Sequence, residues 1–138
     1  MAAGEAFSRD QHERLNEAVA AAEEQTGMRF PVYVGTVHGD VRHFAELELA
    51  GLRELGDEVV LTVVAPGERV VQIVTTADAR RRLSDHACGL ATLSMTTSFG
   101  LGDLVGGITV GLRMLADATA PPRQTHGRPA PTSSTSTP

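Results

Sequence analysis

Two aspartates and a glutamate flank the segment with the strongest strand signal in this chain. Asp57 and Glu58 stand where a predicted β-hairpin begins, and Asp78 follows the point where it ends. Carboxylates that cluster at one rim repel each other unless a cation or a shared proton compensates, and Ca²⁺ or Mg²⁺ with oxygen ligands is the natural candidate. The alternative is that Asp57 closes a turn and Asp78 charges the start of a helix, each in solvent.

Other polar motifs give weaker indications of chemistry. His38, Asp40 and His43 form an H-x-D-x-x-H string that could hold zinc, although turn and helix-cap roles account for it as well. Arg80 or Arg81 could steady a phosphate, although a basic run on a helix is usually a solvated face. No nucleophile elbow is present, and the glycine-rich stretch near residue 100 does not follow a strand, as a dinucleotide site requires.

The composition argues against a nucleic-acid-binding protein, a catalytic cysteine and a membrane protein. The chain has 138 residues, 4% aromatic residues without Trp and a formal net charge of -5, so it lacks the stacking side chains and the basic surface of a nucleic-acid-binding protein. The single cysteine, Cys88, lies in an apolar helical stretch and is expected to be buried and structural. The sequence shows neither a signal segment nor an apolar run of membrane-spanning length, so we expect a cytoplasmic protein without membrane association.

The elements that position these residues follow from local patterns. Ser8, with Gln11 three residues later, predicts a capping box at the start of a first helix, and Gly27 supplies its end. Residues 29–36 alternate as a strand does. Asp40 then caps a second helix.

Two β-branched runs joined by Pro66-Gly67 predict the hairpin. With these two residues as the loop, Val63 faces Val70 and Asp57 faces Thr76. Both faces of the hairpin are apolar, so helices must cover both. We therefore predict an α/β fold, a three-layer α/β/α sandwich around a small central sheet.

The C-terminal part of the chain is predicted to change from helix to disorder. Helices follow the hairpin, and the last, over 102–118, contains four glycines, which indicates close contact with a neighbouring element. The Pro, Ser and Thr residues beyond it cannot build a core. The predicted organisation is a flexible segment 1–6, a domain 7–118 and a disordered tail 119–138.

Two motifs and a capped first helix together resemble a known family. The motifs read Gly56-Asp57-Glu58-Val59-Val60-Leu61 and Phe99-Gly100-Leu101-Gly102-Asp103-Leu104, the second followed by Gly107-Ile108 and Gly111-Leu112. This order of parts, over residues 7–117, is similar to the TPM domain family, some of whose members are labelled phosphatases. The resemblance implies an α/β/α sandwich with a carboxylate site for Ca²⁺ or another divalent metal.

The resemblance also implies which acids form that site. By motif, Asp57 matches the acid before the second strand, Asp85 the acid after the third strand and Asp103 the acid of the last helix. The family's Glu-Thr-Gly-x-Gly continuation of the third strand is missing here, and Asp78 stands close to the place of the lost acid.

Three functional hypotheses follow. The first is a non-enzymatic module that binds a divalent cation or a protein partner through an acidic cluster of Asp57, Asp78, Asp85 and Asp103. The second is a metal-assisted phosphatase, in which the cation lowers the pKa of a water and Arg80 or Arg81 steadies the phosphate. The third uses the apolar last helix as a surface for a dimer or a membrane component. The sequence leaves the identity of the partner and the oligomeric state open.

Overall fold

The computed structural model describes residues 7–122. The helices are α1 (Arg9–Thr26), α2 (Val41–Ala50), α3 (Ala77–Arg80), α4 (Asp85–Gly100) and α5 (Leu104–Ala118), and the strands are β1 (Val32–Val34), β2 (Val60–Ala65) and β3 (Val70–Thr75). The predicted segment 1–6 and the predicted tail beyond residue 122 lie outside the described residues. The described start of that tail is held to the domain, because the Ala120 N–H donates to the Arg82 carbonyl at 2.7 Å.

The sheet has the order β1-β2-β3, with β1 parallel and β3 antiparallel to β2. One face packs under α2 through a cluster that includes Leu61, Val63 and Val74. The other face packs under α1, α4 and α5 through a cluster that includes Val64 and Ile73. Burial of branched residues under helices on both faces confirms the predicted α/β/α sandwich. Because β2 is central, β1 and β3 are the edges of this sheet.

The predicted ends of the first helix are confirmed. The Gln11 N–H donates to Ser8 Oγ at 3.1 Å, and the Ser8 N–H donates to Gln11 Oε1 at 2.9 Å, which completes the capping box. Gly27 ends α1 with a φ of 78°, a left-handed conformation that glycine adopts readily. The strand that follows is shorter than predicted, since Arg29 forms only an isolated bridge to Val59.

The register of the hairpin differs from the prediction. Val63 pairs with Gln72 rather than with Val70. The loop holds a 3₁₀ turn over Pro66–Glu68 and then Arg69 in a left-handed conformation, with φ 58° and ψ 42°. The predicted pairing was wrong because this loop is longer than the two residues assumed.

Close packing of the last helix on a neighbouring element is confirmed at Gly107 and Gly111, although α5 begins at Leu104 and leaves Gly102 outside it. A Cβ at Gly107 would lie 2.7 Å from Ser98 Cβ, and one at Gly111 would overlap the side chain of Met95. The two helices therefore approach too closely for larger residues at these positions. Within residues 7–122, no helix combines the length and the apolar character that a membrane crossing requires.

Candidate functional site

The end of the sheet where β2 begins carries an acidic depression, which we call the acidic rim. It has a volume of about 370 Å³ and is lined by Gly27, Arg29, Leu55, Gly56, Asp57, Glu58 and Asp78. The observed register, continued beyond the strands, sets Asp57 level with Asp78 rather than with Thr76. The Thr76 hydroxyl holds this turn by donating to the Asp57 carbonyl at 2.7 Å. Asp57, Glu58 and Asp78 therefore line a single depression.

Arginines that follow β3 neutralise two of these acids. Arg81 Nη1 lies 3.1 Å from Asp78 Oδ1 at the surface. Arg82 Nη1 donates to Glu58 Oε1 at 2.8 Å. The repulsion that was expected to demand a cation is thus reduced by cations of the chain itself.

Arg82 is a structural residue that the sequence analysis missed. Its side chain is only 5% exposed. Besides Glu58, it donates to the Thr26 carbonyl at 2.7 Å and to the Ala120 carbonyl at 2.9 Å. These bonds tie the end of α1 and the segment after α5 to the start of β2. The only sequence signal was its place as the third residue of the basic run.

Asp85 and Asp103 do not join the acidic rim. Asp103 begins α5, where its Oδ1 accepts from the Gly106 N–H at 3.0 Å, and the residues on either side of it share a cavity with the hairpin loop. That loop lies at the opposite end of β2 from Asp57, and a strand of 6 residues spans about 20 Å. Asp85 lies at the start of α4. The length of the sheet separates Asp103 from the acidic rim, and Asp85, although it lies near the Thr75 end of β3, lines a groove beside Arg80 instead, so the expected convergence of four aspartates does not occur.

Metal coordination has limited support in the described part of the chain. Among residues 7–122, no three His, Cys, Asp or Glu side chains stand close enough together to hold a metal ion. In the string from His38 to His43, Asp40 Oδ1 accepts from the Arg42 N–H at 3.2 Å and caps α2. A Ca²⁺ or Mg²⁺ ion at the acidic rim would need water or backbone oxygens to complete its coordination.

The two arginines considered for phosphate binding are engaged with different partners. Arg80 Nη2 donates to the Thr75 carbonyl at 3.1 Å, and Arg80 Nε lies 3.9 Å from Asp85 Oδ1. Arg81 pairs instead with Asp78. Each guanidinium already has an acceptor, so the geometry gives no support to a shared phosphate site, which stays a prediction.

A groove of about 680 Å³ runs along the open side of β3, and we call it the edge groove. Its floor is the strand over 71–75. The wall residues are Arg42, Glu46 and Leu49 of α2 and Asp85, Cys88, Gly89 and Thr92 of α4. Both sets recur at intervals of three and four residues, so each forms one face of its helix. The groove is therefore bounded by a strand edge and by one helix on each side of the sheet.

The backbone of β3 presents its polar groups alternately to β2 and to the edge groove. The Thr76 N–H donates to the Val59 carbonyl at 3.0 Å, which fixes the phase of the alternation. Residues of odd number in β3 therefore turn their N–H and C=O groups away from β2. These residues are Val71, Ile73 and Thr75.

Few of these outward groups have a partner. Among the hydrogen bonds formed within residues 7–122, the one that reaches them is donated by Arg80 to the Thr75 carbonyl. Both groups of Val71, both groups of Ile73 and the Thr75 N–H remain open to the edge groove. No sequence signal could have identified them, because the pattern that predicts a strand does not tell whether it lies at an edge.

Cys88 contributes to the wall of the groove without a reactive thiolate. Burial and, to a smaller extent, the Asp85 carboxylate raise the pKa of its thiol to about 11, with Arg80 partly opposing the shift. The thiol is therefore protonated at neutral pH and is a poor nucleophile. The predicted burial of Cys88 is confirmed.

Solved structures share this fold. The BA42 protein of the psychrophilic bacterium Bizionia argentinensis, solved by NMR, matches with a TM-score of 0.75 and 18% identity, over 85% of this chain and 83% of that one. The N-terminal domain of the cg2496 protein of Corynebacterium glutamicum matches with a TM-score of 0.67 and 13% identity, over 88% and 83% of the two chains. At these identities the likeness shows the fold alone.

Two curated relatives are more similar in sequence. The uncharacterised proteins Rv2468c and MT2543, from two strains of Mycobacterium tuberculosis, are each 27% identical to this chain over 107 residues, which is 78% of it. The matched region is 64% of the length of each relative. The chain thus spans somewhat less than two thirds of these proteins.

The family comparison corrects the resemblance drawn from the motifs. The matching family model is that of the domain of unknown function DUF5130, over residues 2–116, and not that of the TPM domain. The TPM assignment was wrong because it depended on glycines that turn geometry and helix packing require, and such requirements are not specific to one family. Gly56 has a φ of 113°, and Gly107 and Gly111 lie against α4, which are requirements of turn geometry and helix packing. The chain belongs to the DUF5130 family.

Proposed function

We propose that this chain is a non-enzymatic binding module that takes an extended segment of a partner protein as an additional strand on β3. The observation that carries the proposal is the open backbone of Val71, Ile73 and Thr75 in the edge groove. Proteins that bind extended peptides by strand addition gain affinity from main-chain hydrogen bonds and selectivity from pockets for alternate side chains.

The spacing of the open groups supports an extended peptide as the ligand. Outward-facing residues of a strand recur every second residue, about 6.7 Å apart. Another extended backbone presents N–H and C=O groups at the same interval. A metal ion would engage the carbonyls alone and leave the N–H groups without partners. The groove volume of about 680 Å³ is also within the range of ligand-binding clefts.

The two helical walls make the site selective. Bare edge strands pair indiscriminately, and proteins commonly protect them with charges or cover. Arg42 and Glu46 form an ion pair of 3.1 Å on the α2 wall, and Arg80 and Asp85 stand at the Thr75 end of the groove. An incoming strand must fit between α2 and α4. This space admits a single extended segment more readily than the broad edge of another sheet.

Other functions expected from the sequence stay predictions. These are Ca²⁺ or Mg²⁺ binding at the acidic rim, phosphatase activity, a docking role for α5 and a cytoplasmic location. Arg81 and Arg82 already pair with Asp78 and Glu58, so the acidic rim does not compel a cation. We therefore place the binding function at the edge groove.

Titration of the isotope-labelled full chain with the peptide acetyl-KVEVKVE-amide tests this function by NMR. We expect amide shifts concentrated at Val71, Ile73 and Thr75. The controls are two N-methylated versions, one methylated at the valines and one at the internal charged residues. A strand turns alternate N–H groups to its neighbour, so one version should lose binding and the other should keep it. Undiminished binding of a peptide methylated at both sets of residues, or shifts confined to the acidic rim, would contradict strand addition.

A further inference from the structure

We infer that the bound segment runs parallel to β3, with its C-terminal end at Arg80; this inference rests on the proposed strand addition. The observation is the hydrogen bond of 3.1 Å from Arg80 Nη2 to the Thr75 carbonyl. Arg80 donates to the last outward-facing carbonyl of β3, that of Thr75, and leaves the Thr75 N–H open. The two directions of pairing differ in whether they need that carbonyl.

An antiparallel segment needs the carbonyl that Arg80 occupies. In antiparallel pairing, facing residues of a hydrogen-bonded pair exchange both N–H···O=C bonds. The residue opposite Thr75 would have to displace the guanidinium, share the carbonyl oxygen with it through the second lone pair, or leave its own N–H without a partner. A donor left unpaired on burial is unfavourable by more than a typical hydrogen bond contributes.

A parallel segment avoids this conflict. Its hydrogen bonds slant, so each outward residue of β3 bonds to two different residues of the neighbour. Val71 and Ile73 then use both of their backbone groups, and Thr75 uses its N–H alone. A parallel strand that ends at this point satisfies all the open groups of the edge without moving Arg80.

The direction also decides which residues of the segment bond to β3. Val71 and Ile73 belong to the core cluster that packs under α4, so segment residues directly opposite them turn their side chains toward α4. A Cβ placed at Gly89 would meet nothing within 4 Å, which leaves room there for small apolar side chains. The residues between them face Arg42 and Glu46 on α2, where charged side chains find partners. In a parallel segment, these α2-facing residues are the ones that donate to β3.

The N-methylated peptides described above report the direction of the bound acetyl-KVEVKVE-amide. We expect methylation of the charged residues to weaken binding about tenfold or more and methylation of the valines to change it less than about threefold, since one set loses hydrogen bonds and the other does not. A nitroxide on the C-terminus of the peptide should broaden the amides of Thr75 and Arg80, and one on the N-terminus should broaden that of Val71. The reversed pattern would overturn the parallel direction and leave the proposed function standing.

Variants of the basic run test whether Arg80 sets the direction. Arg80→Ala frees the Thr75 carbonyl, so the difference between the two methylated peptides should shrink to less than about threefold. Arg81→Ala, which removes a neighbouring guanidinium that pairs with Asp78, should preserve the difference. An unchanged difference in Arg80→Ala would overturn the inference. Shifts at the same amides that depend on protein concentration without peptide would identify a second copy of the chain as the occupant and would also overturn it.

Discussion

The acidic rim and the edge groove are both polar surface regions, but they differ in which of their polar groups have partners. At the acidic rim the notable groups are charged side chains, and two of the three acids pair with arginines of the same chain. In the edge groove the charged side chains also pair with each other, but the backbone of β3 is left open. The capacity to bind therefore lies in main-chain groups and not in the residues whose types attract attention.

The difference shows that charged side chains which pair within the chain support the fold, whereas polar groups without a partner are available to bind a ligand. A carboxylate with a neighbouring guanidinium has little need of an external cation, whereas an open N–H at a sheet edge keeps its full need for an acceptor. The comparison predicts that changes at the acidic rim alter stability, while changes in the edge groove alter binding.

Removal of the buried arginine at the acidic rim should have the largest effect. Arg82→Ala deletes the cation of Glu58 and the hydrogen bonds to two carbonyls, so we expect a loss of about 3 kcal/mol in the free energy of unfolding, measured with urea. Arg81→Ala is the matched control, because its ion pair with Asp78 is exposed and should contribute about 0.5 kcal/mol or less. Equal losses in the two variants would contradict the structural role assigned to Arg82.

Filling the edge groove should affect binding and spare stability. Gly89→Leu projects a side chain into the groove, and we expect the affinity for acetyl-KVEVKVE-amide to fall about tenfold, which corresponds to ~1.4 kcal/mol. Gly89→Ala is the matched control, since it should stabilise α4 by about 1 kcal/mol and change the affinity less than about twofold. NMR titration and thermal unfolding of both variants measure the two effects. Wild-type affinity in Gly89→Leu would show that the peptide does not enter the groove.

The sequence predicts the layers of this fold better than the register of its strands. The capping box of Ser8 and Gln11 and the apolar faces of the hairpin depend on local pattern, and both are confirmed. The register failed because Pro66-Gly67 favoured a short loop, while Arg69 adopts a left-handed conformation that no local rule assigns to arginine. A single misjudged loop thus changed every cross-strand pair.

The candidate site was harder to predict for two physical reasons. Motif matching placed Asp57 and Asp103 in one site, although such a match carries no information on the length of the strand between them. The edge groove depends on which strand is left without a neighbour, and this is decided by tertiary packing. Neither the distance between Asp57 and Asp103 nor the identity of the edge strand can be inferred from residue types or from their spacing.

The smallest expected effect concerns the affinity of the acidic rim for cations. Arg81→Ala removes the guanidinium 3.1 Å from Asp78, so Ca²⁺ should bind at the acidic rim about threefold more tightly than in the wild type, by the usual size of an exposed ion-pair effect. Amide shifts of Asp57 and Asp78 during a Ca²⁺ titration at low salt measure this change. Arg42→Ala, which removes an exposed arginine of the edge groove, is the matched control and should leave the Ca²⁺ response unchanged. A Ca²⁺ response at Val71 in any of these proteins would contradict the separation between a charge-compensated rim and a groove that recognises backbone.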